Sequence, residues 1–305
     1  MKSVPFLVLA VAGTIITVRA AEYPLSVAAT VRSQAEFSGS DELEAGARRL
    51  ASPSRDLTVA ATLIARAAEF ADSVVSYEPG ADTSPRFRNP AAALGAPSQI
   101  NPSGEETDPF NPPFGSNQVV SVGAGGWLVL QFHTPILNHP NNLYGYDFIV
   151  FGNSGFIITN EFDPVMGDWI GTPATDGSLF GFNPGETRVS VSRDGVDFFT
   201  LDPALAPVVD GPFPTDGAGD PHLPPLPGLT LSDFAGATLD DIRTLYNGSA
   251  GGTPYDIGWA FDSQGQAVFL PEVNFIRIDV LSGKSEIDAV ASVSRTPRVG
   301  GAPVR

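Results

Sequence analysis

Val273-Asn274-Phe275-Ile276-Arg277-Ile278-Asp279-Val280-Leu281 alternates apolar and polar side chains, which puts Ile276, Ile278 and Val280 on one face and Arg277 and Asp279 on the other. This is the pattern of a half-buried strand. Upstream, Val189 and Val191 point one way and Ser190 and Ser192 the other. Arg193-Asp194-Gly195 then supplies left-handed turn chemistry that closes a hairpin onto Phe198. Working outward, β-branched and aromatic enrichment predicts strands at Val119 to Val122, Trp127 to Phe132, Tyr146 to Phe151, Arg188 to Arg193, Asp197 to Leu201, Ala267 to Leu270 and Glu286 to Val293. Turn clusters, not helices, are expected between them. With 32 Gly, 28 Pro and 42% apolar residues, the chain suits short strands and many turns around a real core. The expected fold class is all-β, a β-sandwich or jelly roll with long loops.

Charge divides the chain. It carries 17 Lys+Arg against 34 Asp+Glu, a net charge of −17, and no cysteine. The only lysines are Lys2 and Lys284, so the clustered basic residues that bind phosphate backbones are missing and nucleic acid is not an expected partner. Disulfide and thiol chemistry are excluded. Residues 69–294 hold 28 of the acids and 7 of the bases, and read as one acidic β-sandwich domain. Such self-repulsion is relieved by bound cations or by a solvated acidic surface.

Lys2 followed by the apolar run Val4 to Ala12, continuing to Ile15-Ile16 and closing on Val18-Arg19-Ala20-Ala21, reads as a secretory signal peptide over residues 1–20. The alternative, a retained anchor, is short for a hydrocarbon core of roughly 30 Å, and no retained membrane span is expected. Residues 21–68 read as a flexible or helical lead-in, and 295–305 as a disordered basic tail. Leu63-Ile64-Ala65-Arg66-Ala67-Ala68-Glu69-Phe70 echoes Ile16 to Tyr23, so 57–71 is either an amphipathic helix or a second signal-like segment cleaved near Ala68. The expected location is therefore outside the cytoplasm, secreted or at the cell surface.

Three stretches, 97–117, 152–186 and 202–256, are too long to be simple connectors and are rich in Pro, Gly, Asp and Asn. A binding site at one rim of the sandwich is expected from them. The ordered series Ala71 to Gly80, Ala92 to Pro97, Val119 to Gly126, Asp147 to Asn153, Val189 to Gly195 and Ser285 to Val290 resembles a family of exported bacterial cell-surface proteins of undefined activity. Some members carry a C-terminal sorting segment of the PEP-CTERM type. The last residues here, Ala302-Pro303-Val304-Arg305, lack the apolar helix and basic tail of that segment. The resemblance covers about residues 70–293 and implies a surface or secreted β-sandwich; it does not itself imply an enzyme.

Calcium is the expected cofactor, because it takes roughly six to eight oxygens and tolerates irregular loops. Its candidate ligands are Asp147, Glu186, Asp256 and Asp288, each beside a strand or loop end. Glu286 and Asp288 near the C-terminal edge resemble jelly-roll carbohydrate-binding modules, in which a calcium sits between first and last strands. That resemblance implies Glu78 as the first-strand counterpart. The alternative is that Asp147 and Asp256 cap turns while Glu186 and Asp288 bind backbone amides. For a polysaccharide or matrix ligand, flat aromatics beside amides and carboxylates are needed. Trp169, with Asn160, Asp163 and Asp168 nearby, is the candidate contact; its alternative is an aromatic that anchors its own loop. Catalysis is not expected. No Gly-x-Ser-x-Gly occurs, the nearest match being Gly152-Asn153-Ser154-Gly155, and the three histidines, His133, His139 and His222, have no zinc spacing. A purely structural or adhesive surface protein is one alternative function; a carboxylate-dependent glycoside hydrolase is another.

Overall fold

The computed structural model describes residues 6–11, 14–19, 69–181 and 185–293. The chain divides between Thr58 and Val59 into two units. In the first, β1 (Phe6–Val11) and β2 (Thr14–Arg19) pair antiparallel, from Phe6 opposite Arg19 to Val11 opposite Thr14. Val, Ile and Thr favour extended backbone, which accounts for strands in this apolar run. The expected 21–68 lead-in and the 295–305 tail lie outside the described residues. Of the expected 57–71 helix only the last residues are described, and there Phe70 forms a bridge with Ala291.

The second unit is mostly β, and its strands pair antiparallel. Its strands are β3 (Ser73–Glu78), β4 (Val120–Gly123), β5 (Trp127–Leu137), β6 (Phe148–Gly152), β7 (Gly155–Ile158), β8 (Phe162–Asp163), β9 (Asp168–Trp169), β10 (Ala174–Phe180), β11 (Thr187–Ser192), β12 (Phe199–Leu201), β13 (Ala237–Thr238), β14 (Thr253–Tyr255), β15 (Ala260–Phe261), β16 (Glu272–Val280) and β17 (Lys284–Ser292), with one helix, α1 (Leu239–Tyr246). A six-stranded sheet runs β15-β12-β11-β16-β5-β3 and a four-stranded sheet β14-β6-β17-β4. One core joins them: Leu128, Leu130, Val189, Val191, Ile276 and Ile278 from the larger sheet meet Val120, Val122, Phe148, Val150, Ile287 and Val290 from the smaller. The arrangement is that of an all-β sandwich.

The strand that decided the fold class lies one residue from its expected span, with Ile276, Ile278 and Val280 fully buried. Its polar face is not simply solvated. Arg277 holds Asp279 through Nη2 at 2.6 Å and stacks over the Trp127 ring at 5.1 Å, while Arg188 approaches Asp279 at 3.5 Å. Asp279 is thereby buried under its own partners. The hairpin forms at Val191 opposite Phe199, with a longer turn than expected. There Asp194 accepts from the N–H groups of Val196 and Asp197, both at 2.9 Å, and Gly195 takes φ +75°, a region that favours glycine. Both faces of β11 are buried, because Ser190 pairs with Thr200 across the hairpin and Ser192 bonds into the turn.

Two expectations need correction. Ala267 to Leu270 is not a strand: only Ala267 pairs, in a bridge with Phe261, because the segment is short and confined between the Gly265 turn and Pro271, which has no N–H to give. Nor are the stretches at 152–186 and 202–256 merely turns. They supply a three-stranded sheet, β13-β10-β7, the β8–β9 hairpin and α1. Thr238 caps α1 in a capping box with Asp241, and Leu239, Ile242 and Tyr246 face a separate aromatic core of Phe110, Phe156 and Phe234. Tyr246 Oη donates to the Pro214 carbonyl at 2.9 Å, which closes this module onto the loop before it.

Candidate functional site

The aromatic module leaves a cavity of about 350 Å³ at its surface. All three long stretches line it. Asp108, Phe110 and Asn111 come from 97–117; Ile158, Trp169, Thr172 and Pro173 from 152–186; and Thr238, Leu239 and Asp240 from 202–256. Each is positioned locally. Asp108 accepts from Phe110 N at 2.7 Å, Asn111 N at 3.0 Å and Asn111 Nδ2 at 3.0 Å, which folds 108–111 into a tight turn and seats Phe110 in the core. Trp169 is half-buried on β9, edge-on to Phe162 of β8 at 5.2 Å.

Of the four residues the sequence nominated for ligand contact, Trp169 alone lines the cavity. The other three build the loop that presents it. Asn160 donates to the carbonyls of Ile170 and Thr172, both at 3.0 Å, and accepts from Ala174 N at 2.7 Å, so its whole amide is committed to backbone. Asp163 accepts from Val165 N and Met166 N and turns the hairpin; Asp168 accepts from Trp169 N. Phe110, Asn111, Thr238 and Asp240 were not foreseen. The Thr238-Leu239-Asp240-Asp241 capping signal could have found the last two.

The cavity wall carries two carboxylates, Asp108 and Asp240, and no basic side chain. The nearest arginine along α1, Arg243, is committed elsewhere: it holds Asp216 through two bonds of 2.9 Å and Glu106 at 2.7 Å. The surface is thus apolar and aromatic at its centre with neutral and negative groups around it, suited to a hydroxyl-rich or cationic ligand and unfavourable for an anion.

The six nominated metal ligands do not converge, and among the described residues no three His, Cys, Asp or Glu side chains meet in a metal-holding group. Asp147 accepts from Ile257 N at 2.8 Å and Asn142 Nδ2 at 2.7 Å, and Asp256 caps the following turn through Gly258 N at 2.6 Å. Asp288 accepts from Ser98 N at 2.7 Å and Ser98 Oγ at 2.8 Å. Glu186, just before β11, and Glu78, at the end of β3, are both exposed. Glu286 alone belongs to a larger polar cluster, with Asn153 and Asp210. Asp210 was missed by sequence reading: it is buried at φ +57°, and accepts from Asn153 N, Ser154 N and Glu286 N. A Cβ on Gly152 would lie 2.1 Å from Asp210 Oδ1, so glycine is required beside it. Burial pushes the carboxyls of Asp147, Asp210 and Asp288 each up to about 7.

The histidines stand apart from the cavity. His222 is buried, with Nδ1 on the Ser292 carbonyl at 2.8 Å and Nε2 on Glu69 at 3.2 Å; His133 pairs with Asp72; His139 Nδ1 accepts from Asn141 N at 3.1 Å. Ser154, the nearest match to a nucleophile elbow, is buried and donates to the Gly211 carbonyl at 3.0 Å. No helix among the described residues is long and apolar enough to cross a membrane. No protein-family model matches the chain, and comparison with curated proteins finds no match.

Proposed function

We propose that this chain is an exported, noncatalytic β-sandwich of the jelly-roll or carbohydrate-binding-module kind, which binds glycan or extracellular matrix at a bacterial cell surface. The carrying observation is the cavity in which Trp169 and Phe110 sit among Asn111, Thr172, Thr238 and two carboxylates. Aromatic faces stack on the apolar faces of sugars, and the surrounding polar groups take hydroxyls. Support for export comes from the apolar leader behind Lys2.

The test is affinity electrophoresis and calorimetry of the full chain against soluble polysaccharides, neutral and anionic, with Trp169→Ala beside the parent. Saturable binding to a neutral glycan, weakened at least about tenfold in the variant as expected for a lost stacking aromatic, supports the reading. Equal binding by both proteins, or none to any glycan, refutes it, and release of reducing ends would move the assignment to a glycoside hydrolase. One observation favours an adhesive reading: Val165 and Met166, at the tip of the β8–β9 hairpin, are 92% and 78% exposed. That reading predicts self-association or cell adhesion without glycan binding.

A further inference from the structure

A second polar cluster, on the outer face of the four-stranded sheet, plays no part in the glycan cavity. Glu286 on β17 lies directly opposite Ser121 on β4, and Asn153, just after β6, bonds to it from the other side through Nδ2–Oε2 at 2.6 Å. Residues opposite each other in antiparallel register share a face. Here it is the face away from the main core, which takes the flanking Val120, Val122 and Ile287. Behind this row the Asp210 carboxylate accepts from Asn153 N at 2.7 Å and Glu286 N at 3.2 Å and fixes both backbones.

Two oxygens of this row are orphans. Ser121 is only 1% exposed, and neither its Oγ nor Asn153 Oδ1, itself buried, has a hydrogen-bond partner among the described residues. Buried oxygens without partners are unfavourable and rare. The cluster contains two carboxylates and one cationic side chain, Lys284, whose Nζ lies 3.4 Å from Glu286 Oε1 with 43% of the side chain exposed, and which leaves both orphans unsatisfied.

We propose that Glu286, Asn153 and Ser121 provide the protein oxygens of a binding site for one calcium-class cation, with water completing the shell and Asp210 fixing the Asn153 and Glu286 backbones behind it. The donor set is all oxygen, which selects a hard cation. Its mixture of carboxylate, amide and hydroxyl, from β17, the residue just after β6 and β4, suits calcium's flexible shell better than the strict octahedron of magnesium. The acidic domain around it raises the local cation concentration. One coordinating carboxylate places the affinity in the range of extracellular calcium modules, a Kd of about 10⁻⁴–10⁻³ M. Of the six carboxylates nominated from sequence, this site keeps only Glu286, and it joins β4, β17 and the end of β6.

Calorimetric titration of EDTA-treated full-length protein with calcium chloride, together with thermal unfolding at matched ionic strength, tests the site. One saturable ion per chain and a raised Tm are expected, with magnesium weaker. Ser121→Ala separates a metal site from mere packing. Without calcium it should be as stable as the parent or more so, since it removes an orphan hydroxyl. With calcium it should bind at least about fivefold more weakly and lose most of the Tm rise. Glu286→Gln should abolish binding, and Lys284→Ala, an exposed position, should tighten it. Absence of saturable binding, or the same isotherm for parent, Ser121→Ala and Glu286→Gln, overturns the proposal and leaves the orphan oxygens to buried water.

Discussion

Asp288 gives the sharpest test of the electrostatics. Its side chain is buried on β17 with Ser98 N at 2.7 Å and Ser98 Oγ at 2.8 Å as its hydrogen-bond partners, and burial pushes its carboxyl from the usual 3.8 up to about 7. The folded state therefore holds a proton that the unfolded state has lost throughout that interval. Its contribution to stability is full below the unfolded value and declines as pH rises through the folded one. Each unit of difference corresponds to about 1.4 kcal/mol. Integrating the linkage between pH 5 and pH 8 gives a loss of roughly 2–3 kcal/mol from this group alone. Asp288→Asn keeps the protonated pattern at every pH: its carbonyl accepts from Ser98 N and its amide donates to Ser98 Oγ. The variant should exceed the parent in stability at pH 8, and its advantage should shrink by roughly 2–3 kcal/mol on going to pH 5. Urea unfolding in EDTA at constant ionic strength, followed by tryptophan fluorescence, measures both curves. Parallel pH profiles for the two proteins would refute the reasoning.

Three further outcomes follow from other parts of the fold. Arg243→Ala leaves Asp216 buried and unpaired and detaches α1 from Glu106, so urea unfolding should show a loss of about 2–3 kcal/mol, below the full value for a buried pair because the guanidinium is one-third exposed. Thr238→Ala removes the α1 cap beside the cavity and should cost about 1 kcal/mol in the same assay, with weaker glycan binding because Thr238 and Leu239 line the site. Replacing Val165 and Met166 together by serine should leave the Tm unchanged; a drop of several degrees would show that the hairpin tip packs against the domain in solution.

The main sandwich was legible because its strands carry their burial pattern locally. Three residues on one face of β16 suffice to fix which side meets the core, and Asp194-Gly195 marks the turn that follows β11. The aromatic module was not legible in the same way. Phe110, Phe156, Phe234 and Tyr246 meet in space from positions scattered over more than a hundred residues, and β8, β9 and β13 are two-residue strands too short to show any alternation. α1 was overlooked although Leu239, Ile242 and Tyr246 have helical spacing behind a capping signal, since Pro and Gly on both sides drew the reading toward a loop. Trp169 could be singled out by composition. Its neighbours Asn160, Asp163 and Asp168 could not be assigned correctly, because a polar side chain bound to its own loop and one aimed at a ligand look alike in sequence.

The buried carboxylates explain how a cysteine-free domain keeps such long segments in place. Asp288 on the four-stranded sheet binds Ser98, at the start of the stretch that supplies Asp108, Phe110 and Asn111 to the cavity. Asp210 joins the 202–256 stretch to Asn153 and Ser154, at the start of the stretch that supplies Trp169. Asp147, at the entrance to β6, receives Ile257 N just beyond the end of the same 202–256 stretch. Each of the three segments is thus held near one end by an aspartate that accepts a backbone N–H group, a tether that needs no disulfide. A carboxylate with two or three hydrogen-bond donors fixes direction as well as distance, and that precision lets residues from three remote parts of the chain line one small cavity. Burial of those same charges makes the anchors least favourable at high pH, so the stability of the fold and the shape of its proposed binding site rest on a common set of groups.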